Sequence, residues 1–130
     1  MRDLLWIGVA GALGAVARYG VGVFAQRSIG THFAYGTLIA NVLGCFLLAL
    51  LMTLGLSSEL IPKTLKLALG TGFLGAFTTF STFGYETLAC AEKGHWRLAA
   101  ANIAANLVVG LLAAWLGWTL GRYLLTRGAA

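Results

Sequence analysis

This 130-residue sequence predicts an all-α membrane protein of four transmembrane helices, the third of them broken at mid-membrane. Three observations carry that prediction. Hydrophobic residues make up 59% of the chain and charged residues only 10%, which excludes a soluble domain. Four mainly apolar stretches can be marked at 4–25, 33–56, 63–91 and 96–125, each reaching the roughly 20 residues that a membrane-spanning helix requires. Within the third stretch, Gly72 and Gly75 precede four clustered hydroxyls, Thr78, Thr79, Ser81 and Thr82. In hydrocarbon an unpaired polar group is costly, and glycine lowers the cost of interrupting a helix.

The first stretch resembles a secretory leader in outline, with Arg2 ahead of an apolar run and Ala15-Val16-Ala17 imitating a cleavage site. Asp3 spoils the basic start and apolar residues continue to Ala25, so this segment is expected to be a retained first helix. A polar turn, 26–32, leads into the second helix. The turn 57–63 holds the only proline, Pro62, and the charged link 92–95 joins the third stretch to the fourth. Trp6, Tyr35, Tyr85, Trp96, Trp118 and Tyr123 gather near the ends, where aromatic side chains anchor helices at the interface. The chain is thus read as one transmembrane domain over 1–130 with very little mass outside the membrane.

The net charge of +5 comes from basic residues scattered through short loops, so lipid headgroups are the expected partners and nucleic acid is not. One side of a four-span arrangement would carry Arg2, Lys63, Lys66, Arg122 and Arg127. The other would carry Arg27, Lys93 and Arg97, with Arg18 a fourth if it reaches the interface. That near balance gives no clear orientation by the positive-inside rule. It permits insertion in both directions and pairing of one chain with its inverted copy, although a single orientation set by the middle-loop lysines is equally compatible. Four spans enclose little, so a polar pathway would lie at a subunit interface. Small residues four apart supply surfaces for close packing, as in Gly36, Ala40 and Gly44 of the second helix and Ala113, Gly117 and Gly121 of the fourth.

The polar residues within these spans define a candidate site. Asn41 falls near the centre of the second helix, Asn102 and Asn106 share a face of the fourth, and Arg18 and Glu86 are the ionisable residues set well within apolar segments. Phe80 and Phe83, three apart beside the hydroxyl cluster, would put their rings on one helix face. Amide and hydroxyl donors, a guanidinium and the positive edges of phenyl rings suit a small anion. The alternative for each residue taken singly is structural: hydroxyls bonded back to the preceding turn, asparagines as interhelical glue, rings in packing. Cys45 and Cys90 have no paired-cysteine pattern and read as packing residues. His32 and His95 lie in different loops, and no nucleophile–base pair or metal cluster supports an enzyme.

At this point three motifs resemble one family. The run Gly11-Ala-Leu-Gly-Ala-Val-Ala-Arg18-Tyr19 is similar to the first-helix signature of the Fluc/CrcB fluoride channels. Gly36-Thr-Leu-Ile-Ala-Asn41 followed by Gly44 resembles their second-helix motif, and Gly72-Phe-Leu-Gly75-Ala-Phe-Thr78-Thr-Phe80-Ser-Thr-Phe83 their third-helix signature. The resemblance spans nearly the whole chain. It implies a fluoride-selective channel of the bacterial inner membrane that exports fluoride to relieve its toxicity, built as an antiparallel, dual-topology homodimer with two pores. It further implies Phe80 and Phe83 as pore-lining rings, Asn41 as a pore-facing donor, Ser81 and Thr82 as polar lining, and Arg18 in a vestibule. A structural Na⁺ would be held by main-chain carbonyls of Gly75 and Thr78 from both subunits. Asn102, Asn106 and Gly110 stand where the family commonly shows tyrosine and serines. Asn106 would serve as a donor on that track and Gly110 would not, except through its backbone. Cys45 replaces a frequent serine and Ala34 a frequent proline. Two other functions compete. A small dual-topology drug exporter would need a membrane-embedded acid, typically in the first helix, where this chain has only Asp3. A non-transporting assembly subunit would use Asn41 and the hydroxyls as glue alone.

Overall fold

The computed structural model describes residues 1–57 and 61–128, so residues 58–60 of the predicted middle turn lie outside the described residues. The described residues form four helical spans joined by short links. Helix α1 is Arg2–Ser28 and α2 is Tyr35–Ser57. The third span is composite: α3 (Lys63–Lys66), a π-helical stretch Leu67–Leu74, α4 (Gly75–Phe77), and, after an interruption, α5 (Phe80–Glu92). The fourth runs through α6 (Trp96–Ala104), a π-helical stretch Ala105–Val109 and α7 (Gly110–Gly128).

Among the described residues, three spans are uninterrupted helices long and apolar enough to cross a membrane: Arg2–Ser28, Tyr35–Gly55 and Trp96–Arg127. The third is divided at Thr78 and Thr79, both extended, with φ/ψ of −83°/158° and −153°/116°. That is where the glycines and hydroxyls predicted an interruption. The two π-helical stretches were not predicted. The first is rich in glycine and both lie in long apolar runs, where no charge or turn residue marks a change from 3.6-residue periodicity. The link to α6 turns on Gly94, whose φ of +77° is open to glycine at little cost, with its N–H donating to Ala91 O at 2.9 Å.

Missing side chains bring the spans together. Gly14 of α1 faces the Phe73 backbone, and a Cβ placed there would run into the Phe73 carbonyl. In return Gly72 lies against α1, where an added Cβ would come within 2.8 Å of Ile7 O. Gly36 meets Gly22 of α1 in the same way, at 2.9 Å from its Cα, and Gly117 abuts the Phe46 carbonyl of α2. Gly121 faces Thr53, 2.8 Å from its Cβ. The small-residue faces seen in the sequence are therefore used within the subunit, letting backbones approach as in other membrane bundles. Large apolar side chains point outward all along the molecule, among them Leu4, Leu13, Val16, Phe24, Leu111 and Trp115, as expected of helices bathed in lipid.

At the ends, polar side chains hold the spans in register. Thr64 Oγ1 donates to Asp3 Oδ1 at 2.9 Å, tying the start of α1 to α3. Lys66 Nζ donates to the Gly55 carbonyl, a cation at the C-terminal end of α2 where the helix dipole favours it. Arg122 and Arg127 lie over Trp118 and Tyr123 at 5.0 and 4.8 Å from the ring centroids.

The backbone contact at Gly14 leads to a direct expectation. Gly14→Val is expected to lower stability by at least about 1–3 kcal/mol, the usual cost of overpacking, because the atom it meets is backbone and cannot swing aside. Gly8→Ala, where an added Cβ meets nothing within 4 Å, should leave it unchanged or slightly raised. Thermal unfolding of the two variants in detergent checks this, and equal behaviour would refute the packing assigned to Gly14.

Candidate functional site

The interruption in the third span releases main-chain groups that a continuous helix would pair, and α2 takes them up. Asn41 grips both backbone groups of Thr79. Thr79 N–H donates to Asn41 Oδ1 at 2.8 Å, and Asn41 Nδ2 donates to the Thr79 carbonyl at 3.1 Å. One turn along α2, Gly44 leaves room for Thr78, whose Cγ2 occupies the place a Cβ on residue 44 would take. The break is thus seated on the Asn41–Gly44 face of α2.

The same geometry has a consequence for two carbonyls. In a continuous helix the N–H of residue i+4 bonds the carbonyl of residue i. Thr79 N–H, the helical partner of the Gly75 carbonyl, is turned to Asn41, and Thr82 N–H, the partner of the Thr78 carbonyl, donates to Thr79 Oγ1 at 3.1 Å. Gly75 and Thr78 are therefore deprived of their helical donors at neighbouring points of the chain. Gly75 is exposed and Thr78 half-buried within the subunit.

The hydroxyls divide in their roles. Thr78 Oγ1 donates back to Leu74 O at 2.9 Å, the structural behaviour of a threonine in a helix. Thr79 is the N-cap of α5: its Oγ1 accepts from Thr82 N–H and donates to Thr82 Oγ1 at 3.0 Å, with Ser81 Oγ 3.2 Å away. With that donation made, Ser81 is the donor in its contact with Thr79. The Thr82 hydroxyl proton is then left without an acceptor among the described residues. Phe80 and Phe83 do share a face, their centroids 5.5 Å apart and their planes at 60° in an edge-to-face pair. Their surroundings differ sharply: Phe83 is 8% exposed and Phe80 80% exposed.

Asn106 joins Asn41 directly. Asn41 Nδ2 donates to Asn106 Oδ1 at 2.9 Å, and Asn106 Nδ2 donates to both the carbonyl and Oδ1 of Asn102 at 3.0 Å. Both N–H groups of Asn41 are engaged in this arrangement, so an anion reaching that amide must displace one of them. Asn102 Nδ2 in turn donates to Thr87 Oγ1 at 2.9 Å, and Thr87 Oγ1 to Phe83 O at 2.7 Å. Thr87 was not singled out in the sequence. Its only signal is a lone hydroxyl four residues beyond Phe83. Gly110 is buried beside Cys45, whose sulfur would lie 3.7 Å from an added Cβ.

A cavity of about 870 Å³ opens beside this cluster, between α1, the start of α2, α5 and the start of α6. Arg18, Thr79, Thr82, Glu86, Lys93 and both histidines are among its lining residues. Of the predicted pathway residues it reaches Arg18 and Thr82, while Asn41, Ser81, Phe80, Phe83 and Asn106 are not in its wall. Arg18 and Glu86 form no ion pair among the described residues, and Glu86 Oε2 is buried without a hydrogen-bond partner there. No cluster of three metal-ligating side chains occurs among the described residues.

Four apolar spans, a third span interrupted and clamped by an amide, and a cavity whose wall includes an arginine define an integral membrane protein with a polar site inside its spans. The chain belongs to the CrcB-like family, described as CrcB-like protein, Camphor Resistance (CrcB), which it matches over residues 5–118. It is 50% identical over 124 residues to the fluoride-specific ion channel FluC of Dehalococcoides mccartyi, covering 95% of each chain. It is 49% identical over 118 residues to the protein of that name from Acidobacterium capsulatum, covering 90% of this chain and 94% of the relative. The Sorangium cellulosum protein of the same name is 45% identical over 125 residues, covering 96% and 98%. The family is one of ion channels and not of enzymes.

Asn41 carries two main-chain groups, so its loss should be felt in stability before any other property. Asn41→Leu leaves both Thr79 groups unpaired, at about 1–3 kcal/mol each. It is expected to destabilise the protein more than Thr79→Ala, which removes a cap worth about 1 kcal/mol. Thermal unfolding of both variants checks the order, and the reverse order would mean that Asn41 does not hold the break.

Proposed function

We propose that this chain is a fluoride-selective channel that lets fluoride leave the cell across the bacterial inner membrane and so relieves fluoride toxicity. The observation that carries this reading is the clamped break at Thr78–Thr79, in a chain half identical to proteins named fluoride-specific ion channels. Fluoride is strongly hydrated, so a pathway must offer hydrogen-bond donors in place of water. Thr82, Ser81, Asn41 and Asn106 supply hydroxyl and amide donors, and the edges of Phe80 and Phe83 carry partial positive charge. Arg18 stands in the cavity wall, where it draws anions toward the cluster.

The working unit is an antiparallel, dual-topology homodimer with its pores at the subunit interface. Phe80 supports this: a large ring 80% exposed, next to a hydroxyl cluster, fits a surface that a second copy covers. The near-even distribution of Lys and Arg between the two sides supports opposed orientations. A structural Na⁺ on the dimer axis fits the carbonyls of Gly75 and Thr78. Both have lost their helical donors and both are oxygen ligands, which a hard cation prefers. Bound there, the cation supplies positive charge close to the pathway of an anion.

Fluoride efflux from liposomes holding only this protein, with chloride as control, tests the function, and no efflux would refute it. Phe80→Ile and Phe83→Ile are expected to cut that efflux at least about tenfold while the dimer persists, since a swap of this kind typically costs under about 1.5 kcal/mol in packing. Wild-type flux from both folded variants would remove the rings from the mechanism.

Replacing Na⁺ by a bulky organic cation should loosen the dimer or reduce flux. Dimer content measured by gel filtration and flux both unchanged after exhaustive removal would overturn the cation site.

A further inference from the structure

The hydrogen bonds that leave Asn41 form a directed chain. It starts at a backbone donor, Thr79 N–H, and ends at a backbone acceptor, the Phe83 carbonyl. A main-chain N–H only donates, so Asn41 must meet it with Oδ1, which turns Nδ2 toward Asn106. Asn106 must then accept with Oδ1 and donate with Nδ2, and Asn102 must do the same. Asn102 Nδ2 reaches Thr87 Oγ1, whose proton goes to the Phe83 carbonyl. Every link runs in one direction and none involves a charge. The chain crosses from the third span to α2, to the fourth span and back, closing one helical turn beyond the break.

We infer that Asn102 is a positioning residue: it holds the Asn106 amide so that its oxygen meets the Nδ2 that Thr79 has turned toward the fourth span, and through Thr87 it ties Asn106 to the backbone of Phe83. Asn102 is suited to this because it is 2% exposed. Cut off from solvent, it has no water to replace a lost partner, so its amide orientation is set by Asn106 and Thr87 alone. Asn41 then offers hydrogen-bond donors toward Asn106 and keeps its oxygen against Thr79. Without the Asn102 side chain, Asn106 Nδ2 keeps the main-chain carbonyl of residue 102 as its one acceptor, and Asn41 has a less firmly held partner at the point where donors are needed.

This inference rests on the fluoride-channel reading, and the experiment separates the two. Fluoride efflux is measured against fluoride concentration for the full-length protein in liposomes, with the folded content of each preparation measured by gel filtration. The wild type, Asn102→Leu, Thr87→Val and Thr87→Ser are compared. Asn102→Leu and Thr87→Val are each expected to raise the half-saturating fluoride concentration about tenfold, the equivalent of one ordinary hydrogen bond. Thr87→Ser, which keeps the hydroxyl, should match the wild type. Combining Asn102→Leu with Thr87→Val should do no more than either alone, because both cut one chain. A purely structural role lowers the amount of folded protein and leaves half-saturation unchanged, and that result in both variants would overturn the inference while leaving the channel intact. If Asn102→Leu does not fold, Thr87→Val and Thr87→Ser decide by the same criterion. Absence of fluoride efflux from the wild type would overturn the channel reading and this inference with it.

Discussion

The bidentate grip of Asn41 on Thr79 is the interaction on which the rest of the arrangement depends. An interrupted helix in an apolar setting exposes main-chain groups that lipid cannot satisfy. Here one side chain takes both the N–H and the carbonyl of the same residue. Once that residue is extended, the next helix must start afresh, and the Thr79 hydroxyl caps it. The orientation of α5, and with it the placement of Phe80, Phe83 and Thr82, follows from that restart. The carbonyls of Gly75 and Thr78 lose their donors for the same reason.

Close packing within the subunit is what makes the grip possible. Gly44 lets Thr78 settle on α2, and Gly14 and Gly72 bring α1 against the glycine-rich π-helical stretch that leads into the break. A π-helical turn carries one extra residue, which shifts the faces that follow it relative to an α-helix. Such a stretch precedes the break in the third span, and another, Ala105–Val109, carries Asn106 in the fourth. Asn41 and Asn106 belong to different spans, yet their amides meet at 2.9 Å.

The polar site and the cavity beside it have distinct chemistry. The clamp and its asparagine chain are neutral amides and hydroxyls, whereas the cavity carries Arg18, Glu86 and Lys93. Only Thr79 and Thr82 belong to both. Along the fourth span this chain places Asn102, Asn106 and Gly110 four residues apart. The asparagines here act together as a relay. Gly110 contributes space beside Cys45 instead of a hydroxyl.

Composition and periodicity alone determined the class, the number of apolar spans and the site of the break, because hydrocarbon imposes the same demand on every span and the glycine–hydroxyl cluster violates it at one place. Arg18, Asn41, Ser81, Thr82 and Asn106 were legible as unusual residues for the same reason, and Phe80 and Phe83 by their three-residue spacing beside the hydroxyls. Which of them touch was not. The clamp needs α2 and the third span in one register, and Asn41 lies 38 residues from Thr79 and 65 from Asn106, separations across which no periodicity operates. The same limit hid Thr87, an ordinary threonine until the fourth span delivers Asn102 to it. It also left open which partner the small-residue faces would meet, and tertiary packing turned Gly36, Gly44, Gly117 and Gly121 inward onto the chain's own backbone and side chains. Local chemistry declares what each polar group requires. Only the packed spans decide which neighbour supplies it.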